Sequence, residues 1–196
     1  MPRTLFISQR SPFARKVRIL LAEKGLAHDV LHEDLTARSP ELLSVSPLWK
    51  VPVLIDEDGT VVFDSTVIAE YLEDRYPSPP LLGTGFVERL RHRAVEDLGD
   101  TALEQTIALF FHKPQGDALA RHERLLDSSL DEIARRIREG LAPDGFGLAH
   151  AAVIAVLDYV DLRLGPARRN AHPELVRFVA PHLERPSVLQ APPPVA

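Results

Sequence analysis

The sequence predicts an α+β unit followed by an all-helical one. Within the first 77 residues, short apolar runs alternate with helical patterns bounded by Ser-Pro, Gly and Tyr-Pro. Ser78-Pro79-Pro80 is a linker by composition. Past residue 86 the apolar residues recur almost throughout at helical spacing. A chain of 196 residues accommodates one large or two small domains. The expected division is an α+β domain over 1–77, a linker over 78–85 and a helical domain over 86–196.

Thr4 to Ser8 reads as a short buried strand. Ser11-Pro12 starts a helix, with a capping hydroxyl and proline at the first helical position, and Gly25 ends it. Asp29–Asp34 is a second strand and Pro40–Ser44 a helical turn. Val51–Asp56 and Thr60–Phe63, joined across Glu57-Asp58-Gly59, form a hairpin. Ser65 is expected to cap a helix that runs to about Arg75 and stops at Tyr76-Pro77. Long helices follow over 86–112, 117–139 and 147–164, with a shorter one over 173–184. Four prolines among the last 11 residues predict an extended tail.

Composition excludes several classes of function. At 45% hydrophobic and 26% charged residues the chain is ordinary globular text, with no apolar run long enough to span a bilayer. The N-terminal apolar stretch is too short for a secretion signal. The absence of cysteine removes disulfides, thiolate metal sites, iron–sulfur clusters and a protein thiol nucleophile, and fits a reducing cytoplasm. A net charge of −5 argues against a general nucleic-acid binder. Residues 1–25 nevertheless carry six cationic side chains against Glu23 alone. They read either as a site for a small anion or, more simply, as a solvated basic helix face.

Three short motifs carry chemistry. Proline at the head of a strand, as in Val51-Pro52, is compatible with a cis peptide that turns the Val51 backbone toward an extended ligand, or with an ordinary trans proline opening a strand. Asp64-Ser65, after a strand and at a helix start, combines an acceptor for an ammonium with donors for a carboxylate; the same pair also serves as a plain cap. Ser11 either caps its helix or donates a hydrogen bond to a bound thiolate beside the helix amides. Lowering a thiol pKa by about 2 units takes about 2.7 kcal/mol. A hydrogen bond to a charged group contributes about 1.5–3 kcal/mol and a helix N-terminus roughly 0.3–2 kcal/mol. No Gly-x-Ser-x-Gly elbow surrounds Ser11.

Together these stretches resemble the soluble glutathione transferase family. The resemblance runs through Ser11–Arg18, Leu48–Leu54 and Asp64–Leu72, continues in Gly147–Arg163 and closes from Pro173 to Ser187. It implies a thioredoxin-like domain followed by an all-α domain, usually as a homodimer. It also implies that Val51, before a cis-Pro52, offers its main chain to the cysteinyl unit of glutathione. Asp64 and Ser65 would hold the γ-glutamyl end, Lys50 the glycyl carboxylate, and Ser11 the activating position, as in tau-like Ser-Pro-Phe sequences. The implied activity is attack of a glutathione thiolate on a hydrophobic electrophile, with isomerase or peroxidase chemistry as a side activity. No metal, nucleic acid or membrane is expected, and the location expected is cytoplasmic. Val17–Gly25 and Glu70–Pro77 also look like stringent starvation protein A, an RNA polymerase partner, so a non-catalytic binding protein of the same fold is the alternative.

Two positions depart from the family pattern. Trp49 stands where many members have glycine. Gly147 and His150 replace the Ser/Thr and Asp of a helix capping box, which predicts a loss of about 0.5–2 kcal/mol in stability. Other signals carry less. His28 and His32 lie in strand-like text without partners, Gly83-Thr84-Gly85 and Gly145-Phe146-Gly147 read as turns, and Phe110-Phe111 suits a core, an interface or an acceptor pocket equally.

Overall fold

A computed structural model describes residues 1–141 and 145–195. The chain forms two compact units, Met1–Pro80 together with Pro186–Val195, and Leu81–Arg185.

In the first unit four strands, β1 (Thr4–Ile7), β2 (Asp29–His32), β3 (Val53–Ile55) and β4 (Val61–Phe63), form one sheet in the order β2-β1-β3-β4. β1 and β2 are parallel, and the β1–β3 and β3–β4 pairs are antiparallel. Three helices accompany them: α1 (Pro12–Glu23), α2 (Pro40–Val45) and α3 (Ser65–Arg75). Side chains alternate across the sheet. Phe6 and Val53, which are register partners, pack with Leu42 of α2. The alternate residues Leu5, Ile7 and Leu54 are fully buried on the opposite face, and α3 packs against α1, β3 and β4. This is a thioredoxin-like domain.

The second unit is helical: α4 (Phe86–Ile107) continues into a π-helical turn at Ala108–His112, followed by α5 (Gly116–Arg138), α6 (Leu148–Leu164), α7 (Ala167–Ala171), α8 (Pro173–Val179) and a 3-10 turn at Ala180–His182. α6 is its core, with thirteen of seventeen residues buried, and it packs on α4, α7 and α8. An apolar helix of this kind has to be enclosed on all sides.

Four expectations are corrected. Asp64, not Ser65, caps α3; its Oδ1 accepts from Thr66 N–H and Val67 N–H at 2.9 and 3.3 Å, and Ser65 is the first helical residue. The α7 turn falls where Gly165-Pro166 signalled only an end. The closing segment, read as a tail of the helical part, belongs to the first unit. It contains α9 (Pro186–Leu189), which packs on α1. Arg15 Nε donates to Ala191 O at 2.8 Å, Arg18 Nη2 to Gln190 O at 2.6 Å, and Ser187 to Glu23, so the segment is fastened by side chains far away in sequence.

The basic N-terminal stretch is not a solvated face either. Arg3, Arg15, Lys16 and Lys24 are all buried. Lys24 pairs with Glu73 at 2.9 Å and donates to the carbonyls of Tyr76 and Pro79. Arg3 meets Asp56, Tyr76 and Ala27 O. Much of the positive charge satisfies internal acceptors instead of facing water.

Candidate functional site

Strand register brings the three motifs to one end of the sheet. Phe6, Val53 and Phe63 form a single cross-strand row. β1 leaves this row toward Ser11, Pro52 enters it just before Val53, and Asp64 follows just after Phe63. With strands roughly 4.8 Å apart, the three loops emerge within about 10 Å of sheet width.

The first element is the N-terminus of α1. Ser11 is its N-cap and its Oγ accepts from Ala14 N–H at 3.2 Å. Capping occupies an acceptor lone pair and leaves the hydroxyl hydrogen available for donation. Pro12 has no N–H, and among the described residues Phe13 N–H has no partner, so one backbone donor stays open beside the Ser11 hydroxyl. Ser11 is 8% exposed.

The second element is the loop entering β3. The Val51–Pro52 peptide is cis. The Val51 side chain packs against the Phe6–Leu42–Val53 cluster, while its backbone N–H and C=O make no hydrogen bond among the described residues. That is the disposition of a strand edge open to an extended ligand. The Lys50 side chain is exposed next to it.

Sequence reasoning missed what holds this loop. Ser46, 1% exposed, donates its hydroxyl to Lys50 O at 3.0 Å and accepts from Lys50 N–H at 3.2 Å. Arg38 Nε donates to Trp49 O at 2.6 Å. Trp49 has φ 54, a left-handed conformation that favours glycine over a residue with a side chain. Ser46-Pro47 is the local turn signal that could have marked the loop.

The third element is the N-terminus of α3. Asp64, at φ 72, turns the chain out of β4 and caps the helix. Ser65 is 4% exposed, and among the described residues its backbone N–H has no partner. The helix behind it is fixed through Asp56, at the end of β3. Asp56 Oδ2 accepts from Tyr71 OH at 2.6 Å and Tyr76 OH at 2.7 Å, and Oδ1 accepts from Arg3 Nε at 2.8 Å. Burial opposes ionisation of Asp56, but the hydrogen bonds from the two tyrosines, Glu57 N–H and the Arg3 charge outweigh it and hold the pKa at about 2. Burial and the Asp56 contact push Tyr71 up to about 12.

The other features singled out in the sequence lie elsewhere. His28 Nδ1 faces Leu26 O at 3.0 Å. Among the described residues no group of three or more His, Asp or Glu could hold a metal, and no helix is long and apolar enough to cross a membrane. Phe110 and Phe111 are partly exposed and flank Arg163.

Two helix N-termini and an unpaired backbone edge emerge at one end of a thioredoxin-like sheet. The comparisons identify the class of protein. A family model for the glutathione S-transferase N-terminal domain matches residues 10–75. The GST-like protein YibF of Escherichia coli is 32% identical over 197 residues, spanning 96% of this chain and 98% of YibF. The crystal structure of a glutathione S-transferase from Methylobacterium radiotolerans, in complex with glutathione sulfonate, superposes with TM-score 0.89 at 32% identity, covering 100% of this chain and 97% of that one. A stringent starvation protein A homolog from Haemophilus influenzae is 39% identical over 90 residues, which is 46% of this chain and 42% of that protein. The chain belongs to the glutathione S-transferase family.

Proposed function

We propose that this protein is a glutathione S-transferase in which Ser11 activates the thiol of bound glutathione. The observation that carries the reading is the Ser11 hydroxyl. It caps α1 through a lone pair, retains its hydrogen, and stands beside an open backbone donor. The Val51 main chain pairs with the cysteinyl unit ahead of Pro52. Asp64 takes the γ-glutamyl ammonium and Ser65 its carboxylate, while Lys50 reaches the glycyl carboxylate.

Chemically, the thiol proton leaves to solvent and the sulfur keeps the electron pair. The Ser11 hydroxyl and the α1 N-terminus stabilise that charge. The thiolate then forms a C–S bond to an electrophilic carbon of an apolar substrate. In a substitution the leaving group departs with the bonding pair; in an addition the adjacent carbon takes up a proton. Both donors act on charge held at sulfur, so they favour the thiolate over the thiol.

The assembly proposed is a homodimer. Val61 and Phe63 of β4 and Val67 of α3 are exposed apolar residues of the first unit that a second copy would cover. A second reading, a non-catalytic binding protein, draws on the similarity to the stringent starvation protein homolog, which is confined to 90 residues. Retention on immobilised glutathione together with turnover of a panel of electrophiles supports the transferase. Retention without turnover supports the binding protein, and failure to bind glutathione overturns the transferase.

A further inference from the structure

The N-terminus of α6 is capped in a way its sequence does not announce. A helix start leaves four backbone N–H groups to satisfy. Here Leu148 N–H donates to Leu81 O at 2.8 Å and His150 N–H to Gly147 O at 3.0 Å. Ala149 N–H donates to His92 Nδ1 of α4 at 3.2 Å, and the N-cap Gly147 N–H donates to His150 Nδ1 at 3.2 Å. Two imidazole nitrogens thus take the places of the two side-chain oxygens of a capping box. The glycine follows from the same arrangement. A Cβ on Gly147 would lie 2.5 Å from Leu81 O and 2.7 Å from His92 Cε1, so the space of an N-cap side chain is already occupied.

An imidazole nitrogen accepts a backbone N–H only while it carries no proton. Protonation at Nδ1 sets two donors against each other, at the helix end that already repels cations. The surroundings of His150 add to this. Its ring is 1% exposed, stacks on Phe178 of α8 with centroids 4.0 Å apart, and meets His182 of the 3-10 turn at 4.5 Å and Phe146 at 5.6 Å. Nε2 is buried without a hydrogen-bond partner. The described groups that act on it electrostatically are His92 from α4, His182 from the turn and Arg185 beyond it, all basic.

We propose that this cap is an acid-sensitive latch: His92 fastens the start of the core helix α6 to α4 and His150 closes its N-cap, each through an unprotonated Nδ1, and acidification through the histidine range raises the population of the open form. Burial first, then the neighbouring His182, His92 and Arg185, lower the His150 pKa to about 3 in the closed form. The open form titrates with an ordinary value of about 6.5. A group whose closed-state pKa is depressed in this way, and which is neutral when closed, withdraws stability as pH falls below the open-state value. From pH 7 to pH 5 one such histidine raises the opening equilibrium about 25-fold.

The test is hydrogen exchange at the Gly147 and Ala149 amides of the intact protein at pH 7 and pH 5, corrected for intrinsic exchange, in wild type and in His150→Asn. Asparagine keeps an acceptor oxygen near the Nδ1 position and does not titrate. The latch predicts that opening rises about 25-fold more in wild type than in the variant. Equal pH dependence in the two proteins overturns it. Should the variant not fold, the wild-type protein decides alone. The His150 Cε1–H resonance should stay flat from pH 8 to pH 5, and a midpoint near 6.5 in the native state overturns the proposal.

Discussion

Replacing Asp56 with asparagine isolates the charge that fixes α3 behind the proposed glutathione site. Asparagine preserves the shape and one acceptor oxygen, but takes from Arg3, 3% exposed, its buried carboxylate partner at 2.8 Å and leaves it the exposed Glu57 carboxylate at 3.6 Å. The drop of the Asp56 pKa from 3.8 to about 2 corresponds to about 2.5 kcal/mol of folding free energy at neutral pH. Removing one partner of a buried ion pair costs about 3–5 kcal/mol, so a loss of about 3 kcal/mol is expected. The sign of the pH dependence follows from a depressed carboxylate. The contribution is complete above about pH 5, falls to about half by pH 3, and is nearly gone at pH 2. Urea unfolding of wild type and Asp56→Asn at pH 7 and pH 3 reads both quantities. A gap below about 1 kcal/mol at pH 7, or one that does not narrow at pH 3, refutes the assignment of the stabilisation to this charge.

Two further substitutions probe the ligand end. Asp64→Ala and Ser65→Ala should each weaken glutathione binding roughly ten- to over a hundredfold by calorimetry, with little change in the acidity of the bound thiol. Asp64→Ala should also cost about 0.5–2 kcal/mol in stability through the lost cap. Trp49→Gly should raise stability by about 1 kcal/mol in thermal or urea unfolding, because the tryptophan is largely exposed and its backbone lies in the left-handed region.

What the sequence made legible was local. Ser11-Pro12 announces a helix start because serine and proline act on their own backbone, and the structure has a helix there with Ser11 as cap. The hairpin over β3 and β4 is equally local, with Gly59 at φ 87 in its turn. The α3 cap falls at Asp64, one residue before the Ser65 that the sequence suggests, because a left-handed aspartate leaves no signal that separates it from an adjacent serine. Where partners are distant the text is silent. Nothing near Ala191 says that Arg15, 176 residues earlier, will bind its carbonyl, so the proline-rich segment reads only as an extended tail. His92 likewise gives no hint that it takes up the work of a missing N-cap side chain at Gly147. The convergence of Ser11, Val51-Pro52 and Asp64-Ser65 depends on strand order and register, which no local pattern specifies.

The proposed role of Ser11 is tested most directly by thiolate absorbance against pH, with glutathione bound, for wild type, Ser11→Ala and Ser8→Ala. Ser8 is the control because it is also buried in the β1–α1 turn, where its Oγ accepts from Arg10 N–H at 3.4 Å. Loss of a hydrogen bond to charged sulfur, about 1.5–3 kcal/mol, predicts a rise of about 1–2 units in the bound-thiol pKa for Ser11→Ala. Glutathione affinity should be nearly unchanged and residual turnover should remain from the α1 N-terminus. A shift confined to Ser8→Ala, or no shift in either variant while wild type turns over, would contradict the assignment of Ser11 as the activating donor.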